Sequence, residues 1–149
     1  MKRTSTLLVI VSLMLLASVI LAACGSKADT GPVTLTVTGL VGKPLSLTDA
    51  GLHGMQIANI TAEQPKKGSQ SFSGVRLSDL LAKAQVKSEA ATLVFSASDD
   101  FSAELDMPTV NSCADCMVAF TDTAGTYLLV MPGQAGKMWV KNLVKIEVK

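Results

Sequence analysis

Histidine and aromatic side chains are scarce in this chain. It has 149 residues, one histidine (His53) and 4% aromatics. A lone histidine argues against a metal centre built on several imidazoles and against a histidine-dependent nucleophilic triad. Cysteine is sparse too, with Cys24, Cys113 and Cys116 the whole supply. Arginine is rarer still, and Arg76 is the sole one after residue 3. Charge is balanced, with 13 basic and 12 acidic residues. Discounting residues 1–23 removes Lys2 and Arg3 and no acidic residue, leaving 11 basic against 12 acidic. A net charge near −1 argues against nucleic acid as a partner and offers no polybasic stretch for anionic lipid. There is no internal repeat and no low-complexity tract.

What is present begins with Lys2 and Arg3, followed by the uncharged run Leu7 to Leu21. Ala22, Ala23 and Cys24 come next, then the polar Gly25, Ser26, Lys27 and Asp29. A basic start, an apolar centre and small residues before a cut site describe a secretory signal peptide. The run is short of the about 20 apolar residues that a spanning helix needs. Leu21-Ala22-Ala23-Cys24 resembles the lipobox of bacterial lipoproteins. That resemblance implies cleavage before Cys24, acylation of its thiol and new amino group, and a chain held at the extracytoplasmic face of the cell membrane. Two or more acyl chains anchor stably, at about 0.8 kcal/mol per buried methylene. The expected organisation is a signal peptide over 1–23, the lipidated Cys24 and a linker over 24–32, and one domain over 33–149. The hydrophobic fraction of 48% is inflated by the signal segment.

Periodicity outlines the domain. Val33, Leu35 and Val37 alternate with threonines, the period of a half-buried strand. Gly39 to Pro44 is turn-like, Leu45 to Leu47 a brief strand, and Thr48 a cap for one helical turn. Met55 to Thr61 reads as a strand, and Glu63 to Ser71 as an exposed loop carrying the solvated Lys66 and Lys67. Leu77, Leu80, Leu81 and Ala84 fall at i, i+3, i+4 and i+7, which predicts one main helix. Asp79 early and Lys83 late suit its dipole. Thr92 to Ala97 is a buried strand, Asp99-Asp100 a turn, and Phe101 to Met107 its alternating hairpin partner. Met117 to Phe120 and Thr126 to Met131 are strands, and Pro132 to Gly136 is a connection without a phosphate-loop pattern. Val144, Ile146 and Val148 alternate in a last strand. The sum is an α+β domain, β-rich with mixed sheets and one main helix.

Several segments together resemble a known family. Phe72-Ser73-Gly74-Val75-Arg76-Leu77-Ser78-Asp79-Leu80-Leu81 is similar to the aromatic-x-Gly-Val-x-Leu-x-Asp-Leu-Leu stretch of the sulfite oxidase-type molybdopterin-binding domain. Phe95 to Phe101 resembles that family's strand and Asp-Gly-Tyr turn, with Asp100 and Phe101 in place of Gly and Tyr. Met131-Pro132-Gly133, Trp139-Val140-Lys141-Asn142-Leu143 and Ile146-Glu147-Val148 resemble its closing segment, and Val37 to Pro44 its opening. The order is right across nearly the whole mature domain. The physical reading agrees: a glycine ahead of the helix permits close packing, and the leucines supply a buried face.

The resemblance implies a molybdopterin cofactor and a cysteine thiolate on molybdenum, a soft ligand for that metal. The ligand should fall between an early strand and the x-Gly-Val stretch, here residues 55–73, and that interval has no cysteine. Between the linker and the C-terminus, Arg76 and His53 are the sole arginine and histidine to meet a pterin phosphate. The expectation is a fold relative without the molybdenum chemistry: no catalytic residue, no metal ligand and no resident cofactor, with molybdopterin the alternative. Fold alone does not carry function.

Cys113-Ala114-Asp115-Cys116 is the strongest remaining chemical feature. In an exported protein the default is a structural disulfide, contributing about 2 kcal/mol for so small a ring. The alternatives are a thiol–disulfide redox pair, which the Asp115 charge opposes, and a metal contact short of two further ligands. His53, Arg76, Asp99 and Asp100 are the candidate pocket residues; turn chemistry also accounts for the two aspartates. Trp139, beside Lys137 and Lys141, is a core residue or a contact surface. The preferred reading is a tethered, non-catalytic binding or accessory module for a ligand or protein that the sequence leaves unnamed. A molybdopterin oxidoreductase and a thiol–disulfide protein are the alternatives.

Overall fold

A computed structural model describes residues 30–149, so the expected signal peptide and Cys24 lie outside the described residues. The alternating valines and leucine form β1 (Val33–Gly39), with Leu35 and Val37 wholly buried. β2 (Leu45–Thr48) folds back antiparallel on it. The Thr48 side-chain oxygen accepts a 3.0 Å bond from the Gly51 amide and starts the short helix α1 (Asp49–His53). β3 (Ile57–Gln64) and β4 (Gly68–Arg76) form a long hairpin. Helix α2 (Leu77–Ala84) buries Leu77, Leu80, Leu81 and Ala84, the face that the spacing predicts. Each fully buried leucine contributes about 1.5–3 kcal/mol over an exposed one.

β5 (Thr92–Ala97) and β6 (Ser102–Asp106) make the next hairpin, then α3 (Met107–Ser112) leads to β7 (Met117–Phe120) and β8 (Tyr127–Val130). A 3-10 turn, Gly136–Met138, precedes β9 (Leu143–Val148). Two sheets result. One has the order β2-β1-β9-β5-β6, with β1 and β9 parallel and its other pairs antiparallel; the other is antiparallel, β3-β4-β7-β8. A single apolar cluster from both sheets and α2 forms the core. The α+β, sheet-rich architecture is as expected. Among the described residues no helix is long and apolar enough to cross a membrane.

The structure corrects four local expectations. Residues 63–71 are hairpin rather than loop: β3 runs to Gln64, β4 starts at Gly68, and Lys66 and Gly68 take positive φ of 69° and 76° to close the turn. Polar composition there reflects two exposed strand ends and not a lack of pairing. Met107 opens α3 instead of ending β6, with Pro108 in its first turn, where a missing amide hydrogen costs nothing. In β9 the buried set is Leu143, Ile146 and Val148, while Val144 is 38% exposed. Positive φ at Asn142 and a register shift beside Ala97 move the phase of the alternation.

The fourth correction concerns Gly74, which lies in β4 and serves a strand rather than the helix. A β-carbon there would stand 2.1 Å from the Val118 carbonyl oxygen of β7. Strand β7 can pair with β4 at this register because the side chain is missing. Gly74→Ala is therefore expected to destabilise the fold by about 2 kcal/mol, read as a lowered unfolding midpoint in denaturant. An unchanged midpoint would show that β7 yields without cost.

Candidate functional site: a lysine-lined cavity at three turns

Three connections meet at one end of the sheets. The β3–β4 turn is tight, with the Lys67 amide donating to the Gln64 carbonyl at 2.9 Å, so Lys66 and Lys67 project from its tip. The β5–β6 turn carries Asp99, Asp100 and Phe101; the Phe101 amide donates to Asp99 Oδ1 at 3.3 Å, and Asp100 takes a positive φ of 63°. The third connection is the 3-10 turn and the residues after it. There the Leu129 amide donates to the Val140 carbonyl at 2.8 Å, and Leu128 pairs with Lys141. Trp139, immediately before these contacts, is 6% exposed, its ring edge-on to Phe72 with centroids 5.6 Å apart. A β-carbon on Gly136 would reach to 3.4 Å from Pro65, so the first and third connections touch.

Between them lies a cavity of about 460 Å³, lined chiefly by Gln64, Lys66, Lys67, Lys137, Trp139 and Lys141. A smaller cavity of about 200 Å³ shares Lys137, Trp139 and Lys141 and adds Asp99 and Phe101. Four lysines thus line one space, with Asp99 in the adjoining smaller cavity. None of the four lysines is in an ion pair among the described residues; those pairs are His53–Asp49, Arg76–Asp115 and Lys145–Glu147. The Trp139 indole N–H is buried and lacks a hydrogen-bond partner among the described residues. Such an orphan donor costs about 1–3 kcal/mol unless something accepts from it. The chemistry on offer is anion binding by point charges and one neutral donor, without a nucleophile or a titrating imidazole.

The residues singled out in the sequence are not gathered here. Asp99 alone of the four pocket candidates lines either cavity, and Asp100 occupies the exposed turn. His53 ends α1, where its ring stacks on Phe120 at 3.9 Å and its Nε2 lies 3.9 Å from Asp49 Oδ2. Arg76 binds the Ala114 carbonyl and Asp115, the latter at 2.9 Å. Cys113 and Cys116 are joined in a disulfide with Cα atoms 5.4 Å apart. It ties the end of α3 to the start of β7, and the Cys116 carbonyl accepts from the Leu77 amide at 2.8 Å. The sequence marks Trp139 with Lys137 and Lys141 as a contact surface, but nothing local joins them to Lys66 and Lys67, some 70 residues earlier in the chain.

The family model for the oxidoreductase molybdopterin binding domain matches residues 53–149. The chain belongs to this family. Its fold is similar to that of the sulfane dehydrogenase SoxCD from Paracoccus pantotrophus, with 27% identity and a TM-score of 0.66. The similarity covers 76% of this chain and 37% of that one. No curated protein matches the chain.

Do the residues present fit the family's cofactor? The interval where the resemblance places the molybdenum thiolate, 55–73, forms β3, its turn and β4, and Gln64 to Lys67 face the lysine cavity. The lining has no sulfur ligand, and the two cysteines of the described residues are bonded to each other. Among the described residues no three His, Cys, Asp or Glu side chains cluster as a metal site. Lysines and an indole N–H suit an anion, whereas soft ligation of molybdenum is not provided for.

A separate buried network holds the sheets together. The Tyr127 hydroxyl is 2.6 Å from Thr34 Oγ1 and donates to Asp49 Oδ1 at 2.9 Å, and Asp49 Oδ1 also accepts from the Gly125 amide at 3.0 Å. Burial, reinforced by the Asp49 charge and hydrogen bond, raises the Tyr127 pKa from 10.0 to about 12; the Thr34 hydrogen bond acts the other way. The phenol favours its neutral form in the fold, so this stabilisation is complete below the ordinary tyrosine pKa. It is lost as pH rises from about 10 toward 12. Tyr127 is the one tyrosine, so tyrosinate absorbance reports it alone. The expected titration is displaced upward or merged with alkaline unfolding, and returns to the ordinary range in denaturant; an ordinary midpoint in the folded protein would refute the network.

For the disulfide, a Cys113→Ala/Cys116→Ala variant should fold with a stability loss of about 2 kcal/mol. In the wild type, neither cysteine should be alkylated under mild reductant without denaturant. Ready alkylation of both would instead identify a redox pair.

Proposed function

We propose that this protein is a lipid-anchored, extracytoplasmic binding or accessory module built on the molybdopterin-domain fold, without oxidoreductase chemistry of its own. The carrying observation is the state of the thiols. Cys113 and Cys116 are consumed in a disulfide that lines neither lysine cavity, and residues 55–73, where the resemblance places the thiolate, hold no cysteine. Cys24, the remaining cysteine, is assigned to the lipid by its Leu-Ala-Ala-Cys context. The anchor would hold the domain at the outer face of a membrane, presenting the cavity to soluble ligands or to a partner protein.

A thiol–disulfide role has less support. Cys113 closes the C-terminal end of α3, where free backbone carbonyls oppose a thiolate. The sulfane dehydrogenase performs its chemistry in a chain of which this one matches 37%. Its activity therefore gives no direct guide to this protein.

Native protein from a host that makes molybdopterin is the test material. Elemental analysis should find molybdenum far below one atom per chain, and denaturation should release no pterin fluorescence. Stoichiometric molybdenum with pterin would overturn the reading and establish an oxidoreductase that ligates its metal without cysteine.

A further inference from the structure

We propose that the lysine-lined cavity is a binding site for a multivalent oxyanion of the phosphate class, taken up as a free soluble ligand. This deepens the preceding reading and rests on it, since the cavity must be free of a resident cofactor to accept such a ligand.

Three observations converge. Lys66, Lys67, Lys137 and Lys141 come from two separate connections and line one concave space of about 460 Å³. Four like charges in one hollow repel one another, and among the described residues none has an acidic partner to relieve this. A dianion removes that repulsion and forms charge-assisted hydrogen bonds. The second observation is the Trp139 indole N–H, which is 94% buried by residue and unpartnered. Trp139 lines the same space as the four lysines, so the unpartnered donor belongs to a residue of the cavity wall. The third is the backing. The Val140–Leu129 hydrogen bond and the Lys141–Leu128 bridge fix the Trp139 segment against β8, so the cavity wall is organised before a ligand arrives.

The ligand class follows from the donors. Lysines act as strongly hydrated point charges that adapt to tetrahedral anions, and this site has no arginine to impose a planar, bidentate geometry. The carboxylate of Asp99, in the adjoining smaller cavity, sets one side of the space against a ligand that is anionic throughout. A phosphomonoester with a neutral organic part directed toward Asp99 and Phe101 satisfies both surfaces.

The test uses full-length protein in detergent, at constant ionic strength. Trp139 is the one tryptophan, so its emission reports from the cavity wall, and calorimetry supplies a second readout. Inorganic phosphate, pyrophosphate and glycerol phosphate are titrated separately, with chloride as control. The expected result is saturable binding of at least one phosphate compound that chloride does not reproduce. A Lys137→Ala/Lys141→Ala variant should weaken it by about tenfold or more, with the unfolding midpoint retained. Trp139→Phe, read by calorimetry, should weaken it by a few-fold while keeping the ring. Stronger binding of glycerol phosphate than of inorganic phosphate would assign the smaller cavity to the organic part.

Absence of saturable binding in both readouts overturns the proposal, as does binding that the lysine variant leaves unchanged. Emission changes seen with phosphatidylglycerol vesicles and with none of the soluble phosphates also overturn it, because the ligand is then a membrane surface. Either failure leaves a molybdenum-free, pterin-free protein still an accessory module. Molybdenum and pterin in the native protein would instead remove the reading on which the proposal stands.

Discussion

The backbone tie between β8 and the residues after the 3-10 turn governs both the fold and the site. The Leu129 amide donates to the Val140 carbonyl, and Leu128 pairs with Lys141. With this tie the chain closes the β3-β4-β7-β8 sheet, and only then crosses to place β9 between β1 and β5 in the other sheet. Trp139 is buried as a consequence, and Lys137 and Lys141 are left on the solvent side of the same short segment. One set of backbone hydrogen bonds therefore positions an apolar anchor and two cations together. The anchor's area offsets the entropy lost in ordering a connection that would otherwise be mobile.

Charge balance acquires a meaning that composition hides. A chain near neutrality gives no long-range field to steer ligands, yet its charges are not evenly spread. Arg76 and Lys145 are paired with carboxylates, and Asp49 is held by Tyr127, Gly125 and His53. The four cavity lysines are the cations that the fold leaves to converge on one hollow. Exposed lysines on a convex surface would be screened over about one Debye length, near 8 Å at physiological salt. In a hollow walled by buried Trp139 the same charges are focused on a smaller volume of water.

The sequence carried much of the fold and little of the site, for separable reasons. Core-facing periodicity is a local signal, and α2 with Leu77, Leu80, Leu81 and Ala84 followed it, as did β1 and β6. Thr48 was legible as a cap because the cap bond spans three residues. The β3–β4 hairpin was missed because its outer half is paired backbone under exposed polar side chains, so periodic burial is absent. Gly74 reads as serving the helix that starts at Leu77, when its constraint comes from Val118, far along the chain. The cavity failed to register for the same reason. Its lysines converge through sheet topology, and each alone looks like a solvated surface residue. The pocket candidates His53 and Arg76 found partners of structural kind instead, Phe120 and Asp115.

Belonging to a family of cofactor-binding domains constrains this chain less than it first suggests. The apolar residues that define the fold, such as Leu35, Phe95, Leu129 and Ile146, are wholly buried and do not line the lysine cavity. These core residues and the cavity lysines are therefore separate sets. The interval 55–73, where the family resemblance places a thiolate, holds no cysteine, and its turn brings Lys66 and Lys67 into the cavity lining. The disulfide fits the same logic, because it stiffens the α3–β7 junction on which α2 rests, through the Leu77–Cys116 hydrogen bond. The disulfide is thus tied into the scaffold, and the cavity lining presents lysine and indole nitrogens rather than sulfur.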